Sequence, residues 1–506
     1  MPANKLKTIR QLAQLRAALG AKGKKVALCH GVFDLVHPGH IKHLEAARRQ
    51  ADALFVTVTP DRHVNKGPGR PVFSQQLRAQ SLAALEPVSY VAVNEWPTAV
   101  ETIAAIKPDF YFKGSEYADH GRDITGGIAK EEAAARSCGA EIRYTGEITF
   151  SSTELLNKFF GVFSPEEEAF LNGFRRKYSA QDAIAMIQGA RGMKALVVGD
   201  AIIDEYHYCR GLGKPPKDNI ISAKFIREER FAGGALACAN HLAGICGRVD
   251  LLTCLGARDS CEDFARAKLA RNVRPVFFRR ENGRTTIKRR FVDEAFLSKL
   301  FEIEIIDDTP LPPKTDDAIA RHLSKIIGGY DLVLVSDFGH GLISPQLLKI
   351  LERAKFLALN AQTNSANAGY NLVTKYRRAD YICVDEPEIR LAARDRYGDL
   401  KNIVKSISRG MKCRRVCITR GHNGALARDA KTGFAEVPAF AKNIVDRVGA
   451  GDSFLAFTAP LAASGAPADM LAFIGSAAAA IKVGIVCNRE PVNPVSLCKF
   501  INTLLK

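Results

Sequence analysis

Of the twelve cysteines in this 506-residue chain, no two stand as Cys-x-x-Cys, and none joins histidines at a zinc-binding spacing. The thiols are scattered singly, mostly in apolar runs. They read as buried free cysteines, which goes with a reducing, cytoplasmic setting. Long apolar runs are equally scarce. The nearest is "LAFIGSAAAAIKVGIVC", broken by Gly475, Lys482 and Gly484, and it reads as a buried core helix rather than a membrane span. The N-terminal stretch has no apolar core of the kind a secretory leader needs. There is no long polar tract, so disorder is not expected, and no internal repeat. A net charge of +18 is present without a basic stripe or an aromatic-interleaved patch, and nucleic acid is not the expected partner.

The charge is instead diffuse. Residues 1–160 hold 21 basic and 16 acidic side chains, and the remainder 51 and 38. An excess spread over both parts fits the steering of small phosphate-bearing substrates. The length fits two or three domains. Short apolar stretches such as "KVALC" and "ALFVTVTP" alternate with helical patterns up to about residue 160, predicting a parallel βαβ domain. Residues 161–192 are charged and helical in pattern and read as a helical linker, with Ser164-Pro165-Glu166-Glu167 as the start signal of a helix. A second α/β pattern opens at "KALVVGD" and runs through 193–506, interrupted by "NIISAKFIREERFAGG", whose alternation predicts a small lid sheet. Exposed strand edges there invite pairing with a second copy, so a homodimer is expected.

Two motifs carry chemistry. The first is His37-Pro38-Gly39-His40, directly after the strand and turn "ALCHGVFD". Proline suits the first helical position, glycine lets a ligand approach the backbone, and a three-residue spacing points both imidazoles the same way. The start of a helix already attracts anions. Two added imidazoles make a site for a polyphosphate, stabilising a pentacovalent α-phosphate and the leaving pyrophosphate. The second motif is "DRVGAGDSF", 446–454. Gly449, Ala450 and Gly451 present consecutive N–H groups, an anion nest for a γ-phosphate. Asp452 follows at the start of a helix, placed to take a proton from an attacking hydroxyl.

With "DFYFKGSEY" and "SSTELL", the stretch "GVFDLVHPGHIKHL" resembles the cytidylyltransferase-like nucleotidyltransferases over 25–160. The resemblance implies that His37 and His40 contact the triphosphate and that Lys66 and Lys113 neutralise phosphate charge. It also implies that Ser151, Ser152 and Thr153 hold phosphate or nucleotide, and that Phe33 and Asp34 shape the turn beside the nucleotide. Such enzymes use no protein nucleophile: a sugar or alcohol phosphate attacks in line.

"VVGDAIIDEY", "FAGGALACANHLA", "RTTIKRRF", "LVSDFGHGL", "DEPEIRLA", "ITRGHNGA" and "DRVGAGDSF" occur in the order found in the ribokinase-like sugar kinases, over about 193–506. This second resemblance implies Asp452 as catalytic base with Gly449, Ala450 and Gly451 as anion hole. It puts Asp200, Asp204, Gly233, Gly234 and Asn240 around the sugar, with Lys288 and Arg290 toward a phosphate on the substrate. Thr419 and Gly421 fall near the nucleotide, and Asp385 and Glu388 support Mg²⁺ indirectly. The fold class expected is thus α/β, with two doubly wound domains: an N-terminal Rossmann-like HxGH nucleotidyltransferase and a C-terminal ribokinase-like kinase with a small β lid.

The pairing of the two resembles the bifunctional heptose-7-phosphate kinase/heptose-1-phosphate adenylyltransferases, with the domain order reversed. ATP, or CTP for the nucleotidyl step, and Mg²⁺ are the co-substrates and cofactor this implies. The sugar motif departs from that family: Ala237 stands in place of an asparagine, and a strand end reading Asp-Pro-Lys there is "LNAQTNSANAGYN" here, with Asn360, Gln362, Asn364 and Asn367. Neutral amides hydrogen-bond hydroxyls, so a changed sugar pocket is expected. The alternatives are the same chemistry on a non-heptose sugar or polyol phosphate with CTP, or a chain that binds nucleotide and regulates.

Overall fold

The computed structural model describes residues 2–64, 66–114, 127–145 and 163–506. They form two compact units, one of residues 1–168 with 498–506, the other of residues 169–497.

The first unit is built on a five-stranded parallel sheet. Its strands are β1 (Val26–Gly31), β2 (Ala53–Val58), β3 (Tyr90–Val93), β4 (Phe110–Gly114) and β5 (Glu141–Thr145), in the order β3-β2-β1-β4-β5. β2 is buried along its whole length, as a strand covered on both faces must be. The two-residue period divides β1 between two cores. Ala27 and Cys29 join Leu54, Val56, Leu44 and Leu82 on one face, while Val26 and Leu28 join Phe55, Leu12 and Ile103 on the other. Strand order reverses between β1 and β4, which opens a crevice beyond their carboxyl ends, at Gly31 and Gly114.

The second unit begins with helices Pro165–Arg175, from Ala169 onward, and Ala180–Gly189. Ser164 and Glu167 form a reciprocal cap, Ser164 N donating to Glu167 Oε2 at 2.6 Å and Glu167 N to Ser164 Oγ at 3.2 Å. Phe170 and Phe174 pack against Phe473, so this stretch shares the core of the second unit.

Its strands are β6 (Lys194–Gly199), β7 (Ala201–Gly213), β8 (Ser222–Gly234), β9 (Arg248–Arg258), β10 (Val273–Arg284), β11 (Thr286–Asp293), β12 (Lys299–Ile305), β13 (Leu332–Asp337), β14 (Leu357–Ala361), β15 (Tyr381–Asp385), β16 (Arg415–Thr419), β17 (Ala425–Asp429) and β18 (Gly433–Val437). Nine make one sheet, β10-β9-β6-β13-β14-β15-β16-β17-β18, parallel except for β17 and β18. The other four form a separate sheet, β12-β11-β7-β8. The stretch read as a lid supplies β8. The order of the large sheet reverses at β6 and β13, placing Asp200 and Asp337 at the switch point. Helix Ala450–Ala463 is buried almost all round, apolar but for Asp452, Ser453 and Thr458, and packs on helix Ala468–Lys482. Among the described residues, no helix is long and apolar enough to cross a membrane.

Candidate active sites

In the first unit the chain leaves β1 at Gly31 and turns into helix Pro38–Arg48, with His37 as its N-cap and Pro38 at the first helical position. The His37 and His40 rings stack, centroids 3.9 Å apart, and Phe33 meets His40 edge-on at 5.1 Å. Phe33 takes a φ of 51°, which brings its ring back over the turn. His40 Nδ1 is buried and has no hydrogen-bond partner among the described residues. Burial, with His37 and Lys66 close by, pulls the His40 imidazole down to about 3, and burial lowers His37 too. Both rings are therefore neutral near pH 7, each with one N–H to donate. His43 stands on the same helix, its Nδ1 2.6 Å from Thr145 Oγ1.

Asp34 is buried and its Oδ1 accepts from Val72 N at 2.8 Å and Phe73 N at 3.2 Å, with Arg70 3.5 Å from Oδ2. It ties the turn after β1 to the loop that carries Lys66. Burial lowers the Lys66 amine to about 8; Asp34 opposes this, while Arg70, Lys506 and Lys499 add to it. Lys113, at the end of β4, lies 2.7 Å from Glu131. Ser151, Ser152 and Thr153 lie outside the described residues. For the phosphate-neutralising role that the resemblance implies for Lys66, a pKa near 8 gives a specific expectation: the KM for the nucleoside triphosphate rises above about pH 8, as the amine loses its charge. Lys66→Arg, charged throughout, removes that alkaline limb in a pH profile of nucleotidyl transfer.

Arg78 was not legible as part of this site. Its fully buried guanidinium donates to the carbonyls of Val32, Thr59 (2.8 Å) and Phe73 (2.9 Å) and pairs with Asp61 at 2.6 Å. In sequence it is one basic residue on a polar helix, "QQLRAQSLA", with nothing to mark it as interior. It clamps the turn after β1 and the Phe73 loop together. Arg78→Met removes the donors to three carbonyls and leaves Asp61 with Gln75 N as its partner, and costs about 3 kcal/mol of stability in urea unfolding.

In the second unit, Asp452 begins the helix whose N-cap is Gly449, at φ 80°. A Cβ on Gly449 would fall 2.3 Å from Asn488 Oδ1, so only glycine fits this end of the nest. Asp452 is buried, and burial reinforced by Asp204 raises its carboxyl to about 6, while Lys482 and hydrogen bonds from Cys238 and Gln362 oppose the rise. The Gln362 amide reaches Asp452 Oδ1 at 3.4 Å. Asp446 holds the approach to the nest: it accepts from Tyr206 (2.6 Å), Lys299 (2.8 Å), Cys487 N (2.9 Å) and Val448 N (3.1 Å).

The residues expected around the sugar divide. Asp200 accepts from the Phe338 and His340 amides and, pressed by burial and by Asp337, is raised to about 6. It lines a small, partly open pocket with Cys254, Arg280, Thr286 and His340. Gly233 lies against Asp204, whose Oδ2 a Cβ there would meet at 2.1 Å, and Gly234 lies against the Asp200 carbonyl. Arg290 pairs with Asp204 and Glu302, and Lys288 with Glu304 at 2.9 Å. Asn240 is not brought to this group: both ends of its amide are engaged by the Lys268 carbonyl and the Ala270 amide. Of the asparagines of the "LNAQTNSANAGYN" stretch, Asn360 bonds the Cys383 carbonyl, and Asn364 and Asn367 bond that of Phe338. Asn364 and Asn367 fix backbone at both ends of their amides, whereas Asn360 keeps a buried Oδ1 with no partner among the described residues.

Thr419, on β16, pairs in register with Asp385 on β15, and Gly421 opens the turn after it at φ 57°. Asp385 caps helix Glu386–Ala393 in reciprocal bonds with Glu388 (2.7 and 2.9 Å), and Glu388 also accepts from Thr363 N at 3.2 Å. Burial and the neighbouring Asp385 raise Glu388 to about 8. Asp452 adds to the rise of Glu388, while Asp385 is raised by burial and by Glu386. No cluster of three or more His, Cys, Asp or Glu residues gathers as a metal site among the described residues.

The fold and these sites define two nucleotide-handling α/β units, one with paired histidines at a helix start, one with a buried aspartate beside a glycine nest. Residues 193–486 match the pfkB family of carbohydrate kinases, more than half of the chain, and the chain belongs to that family. Residues 28–154 match the cytidylyltransferase-like family. The chain is 40% identical over 120 residues to the bifunctional protein HldE of Trichlorobacter lovleyi, covering 23% of this chain and 24% of that protein. It is 41% identical over 123 residues to that of Aliarcobacter butzleri, covering 24% and 25%. In each case the chain spans about a quarter of the relative's length. A phosphofructokinase-2 mutant from Escherichia coli superposes with a TM-score of 0.51 at 14% identity, over 62% of this chain and 100% of that one, and shares the fold.

Proposed function

We propose that the chain is a bifunctional enzyme making a nucleotide-activated sugar. The second unit transfers the γ-phosphoryl group of ATP to a sugar or sugar phosphate at O1. The first unit transfers a nucleotidyl group from ATP or CTP to a sugar 1-phosphate, whose oxygen attacks the α-phosphorus as the bond to pyrophosphate breaks. The observation that carries the reading is the joint presence of the stacked His37 and His40 at a helix start and the buried Asp452 beside its nest. The relatives named HldE support the pairing and favour a heptose product such as ADP-heptose.

In this reading Asp452, as carboxylate, takes the proton of the attacking hydroxyl, and the Gly449–Gly451 amides receive the phosphoryl oxygens. His37, His40, Lys66 and Lys113 hold the triphosphate in the first unit. Asp385 and Glu388 would hold Mg²⁺ through water, and the ion would supply charge neutralisation on the nucleotide phosphates. A homodimer formed through the four-stranded sheet, whose Phe225, Phe301 and Ile303 are exposed, and a cytoplasmic location complete the proposal.

A second reading keeps the chemistry on a non-heptose sugar. The sequence departures at Ala237 and at Asn360, Gln362, Asn364 and Asn367 favour it, Asn364 and Asn367 being bound to the Phe338 carbonyl in the loop whose amide Asp200 accepts from. Mass spectrometry of products from Mg²⁺, ATP or CTP, and a panel of sugars, sugar 7-phosphates and sugar 1-phosphates decides between them. A heptose bisphosphate or ADP-heptose supports the first, and the same chemistry on another sugar the second. Nucleotide binding with no product from any member contradicts both.

A further inference from the structure

Lys482 ends the helix Ala468–Lys482 and is completely buried. Its Nζ donates to the Val448 carbonyl at 2.8 Å and to the Cys487 carbonyl. Val448 immediately precedes the nest, and Cys487 lies in the chain that follows the helix, so one amine ties the two segments together. Gly449 rests on the lysine stem: a Cβ there would lie 3.0 Å from Lys482 Cε. Asn488 Oδ1 faces the same place and is buried without a partner among the described residues.

Main-chain oxygens only accept, so the amine must donate to both. Burial lowers its pKa, and the charges of Asp446, Asp452 and Asp204 push it back up. The carboxyl end of the helix adds negative potential. A buried, unpaired ammonium is costly unless oxygens and dipoles surround it. Here they do, directly beneath the amides proposed to receive the γ-phosphate.

We propose that Lys482 is a built-in cation of the phosphoryl-transfer site: its ammonium bridges the Val448 and Cys487 carbonyls, fixes the two segments that carry them, and lends positive charge to the Gly449–Gly451 nest. It is a positioning residue and does not touch the substrate. The inference rests on the assignment of that nest to phosphoryl transfer. Because a cation already stands between these carbonyls, phosphoryl transfer has no need of an added monovalent one. Removing the side chain beyond Cβ opens a chamber between them and leaves both carbonyls able to accept from a small amine or hold an ion.

The test measures γ-phosphoryl transfer from Mg²⁺-ATP to heptose 7-phosphate, or to the sugar found by the panel, by the full-length protein in potassium, sodium and choline chloride. Wild-type rates agree within about twofold in all three. Lys482→Ala, its fold checked by circular dichroism and melting, loses about 10²-fold in choline, the scale of one removed charge-stabilising group. Ammonium, methylammonium or potassium restores it saturably. Lys482→Met, which keeps the chamber filled with an apolar stem, is not restored. A wild-type requirement for potassium overturns the inference. So does a folded Lys482→Ala that is fully active in choline, or one that no cation restores. If Lys482→Ala does not fold, the ion exchange on wild type still decides. Asp452→Asn, run in parallel, separates the two claims: it is inactive in every salt if the nest is the phosphoryl-transfer site, whatever Lys482 does.

Discussion

Asp452→Asn lowers phosphoryl transfer by about 10³-fold, within the range that a positioned general base contributes, and leaves nucleotidyl transfer unchanged. Asparagine keeps the size of the side chain and an oxygen to accept from Gln362, so the loss reports the missing proton acceptor rather than collapse of the nest. The pH profile gives an independent sign. Burial and Asp204 raise the Asp452 carboxyl to about 6, and only the carboxylate accepts a proton. The kcat/KM for the sugar therefore rises with pH up to about 6 and levels off above it. An ordinary exposed aspartate would place that rise near pH 4. The same profile for nucleotidyl transfer shows no such limb, because Asp452 takes no part in it.

His40→Ala produces the opposite pattern, a loss of about 10² to 10³-fold in nucleotidyl transfer, the cost of one donor aimed at developing phosphate charge, with phosphoryl transfer intact. The ring is held between His37 and Phe33, and Nδ1 is buried, so the donor is fixed before substrate arrives. Alanine removes both the donor and the wall against which His37 stacks. His40→Gln restores a donor of similar reach and recovers part of the rate, which a purely structural role for the ring would not allow. Since burial holds His40 neutral down to about pH 3, His40 contributes no limb to the pH profile of nucleotidyl transfer between pH 5 and 7.

What could be read from sequence follows the range of the interactions. His37 and His40 act through a spacing of three on one helix, and Gly449 to Asp452 through consecutive residues, so local chemistry was enough to find them. The alternation of buried strands with helices gave the two parallel sheets for the same reason. Arg78, Asp446 and Lys482 act across long stretches of chain: Arg78 on Val32, Asp446 on Tyr206, Lys482 on Val448. Each is an ordinary charged residue until the fold buries it. Lys482 was read only as an interruption in an apolar run, and its use as an internal cation depends on loops brought together by tertiary packing. The asparagines of "LNAQTNSANAGYN" show in sequence only as neutral amides; that Asn360, Asn364 and Asn367 donate to the Cys383 and Phe338 carbonyls depends on segments more than twenty residues away.

The central claim is that one chain carries two separate phosphorus chemistries. The most direct test supplies ATP labelled at either the α- or the γ-phosphorus, with Mg²⁺, to wild type, Asp452→Asn and His40→Ala. Acceptors are the sugar phosphate and the sugar 1-phosphate identified by the panel, each in separate reactions. The account predicts γ-label in the phosphorylated sugar with wild type and His40→Ala only, and α-label in the nucleotide sugar with wild type and Asp452→Asn only. A folded variant that loses both labels, or a wild type that delivers only one, contradicts it.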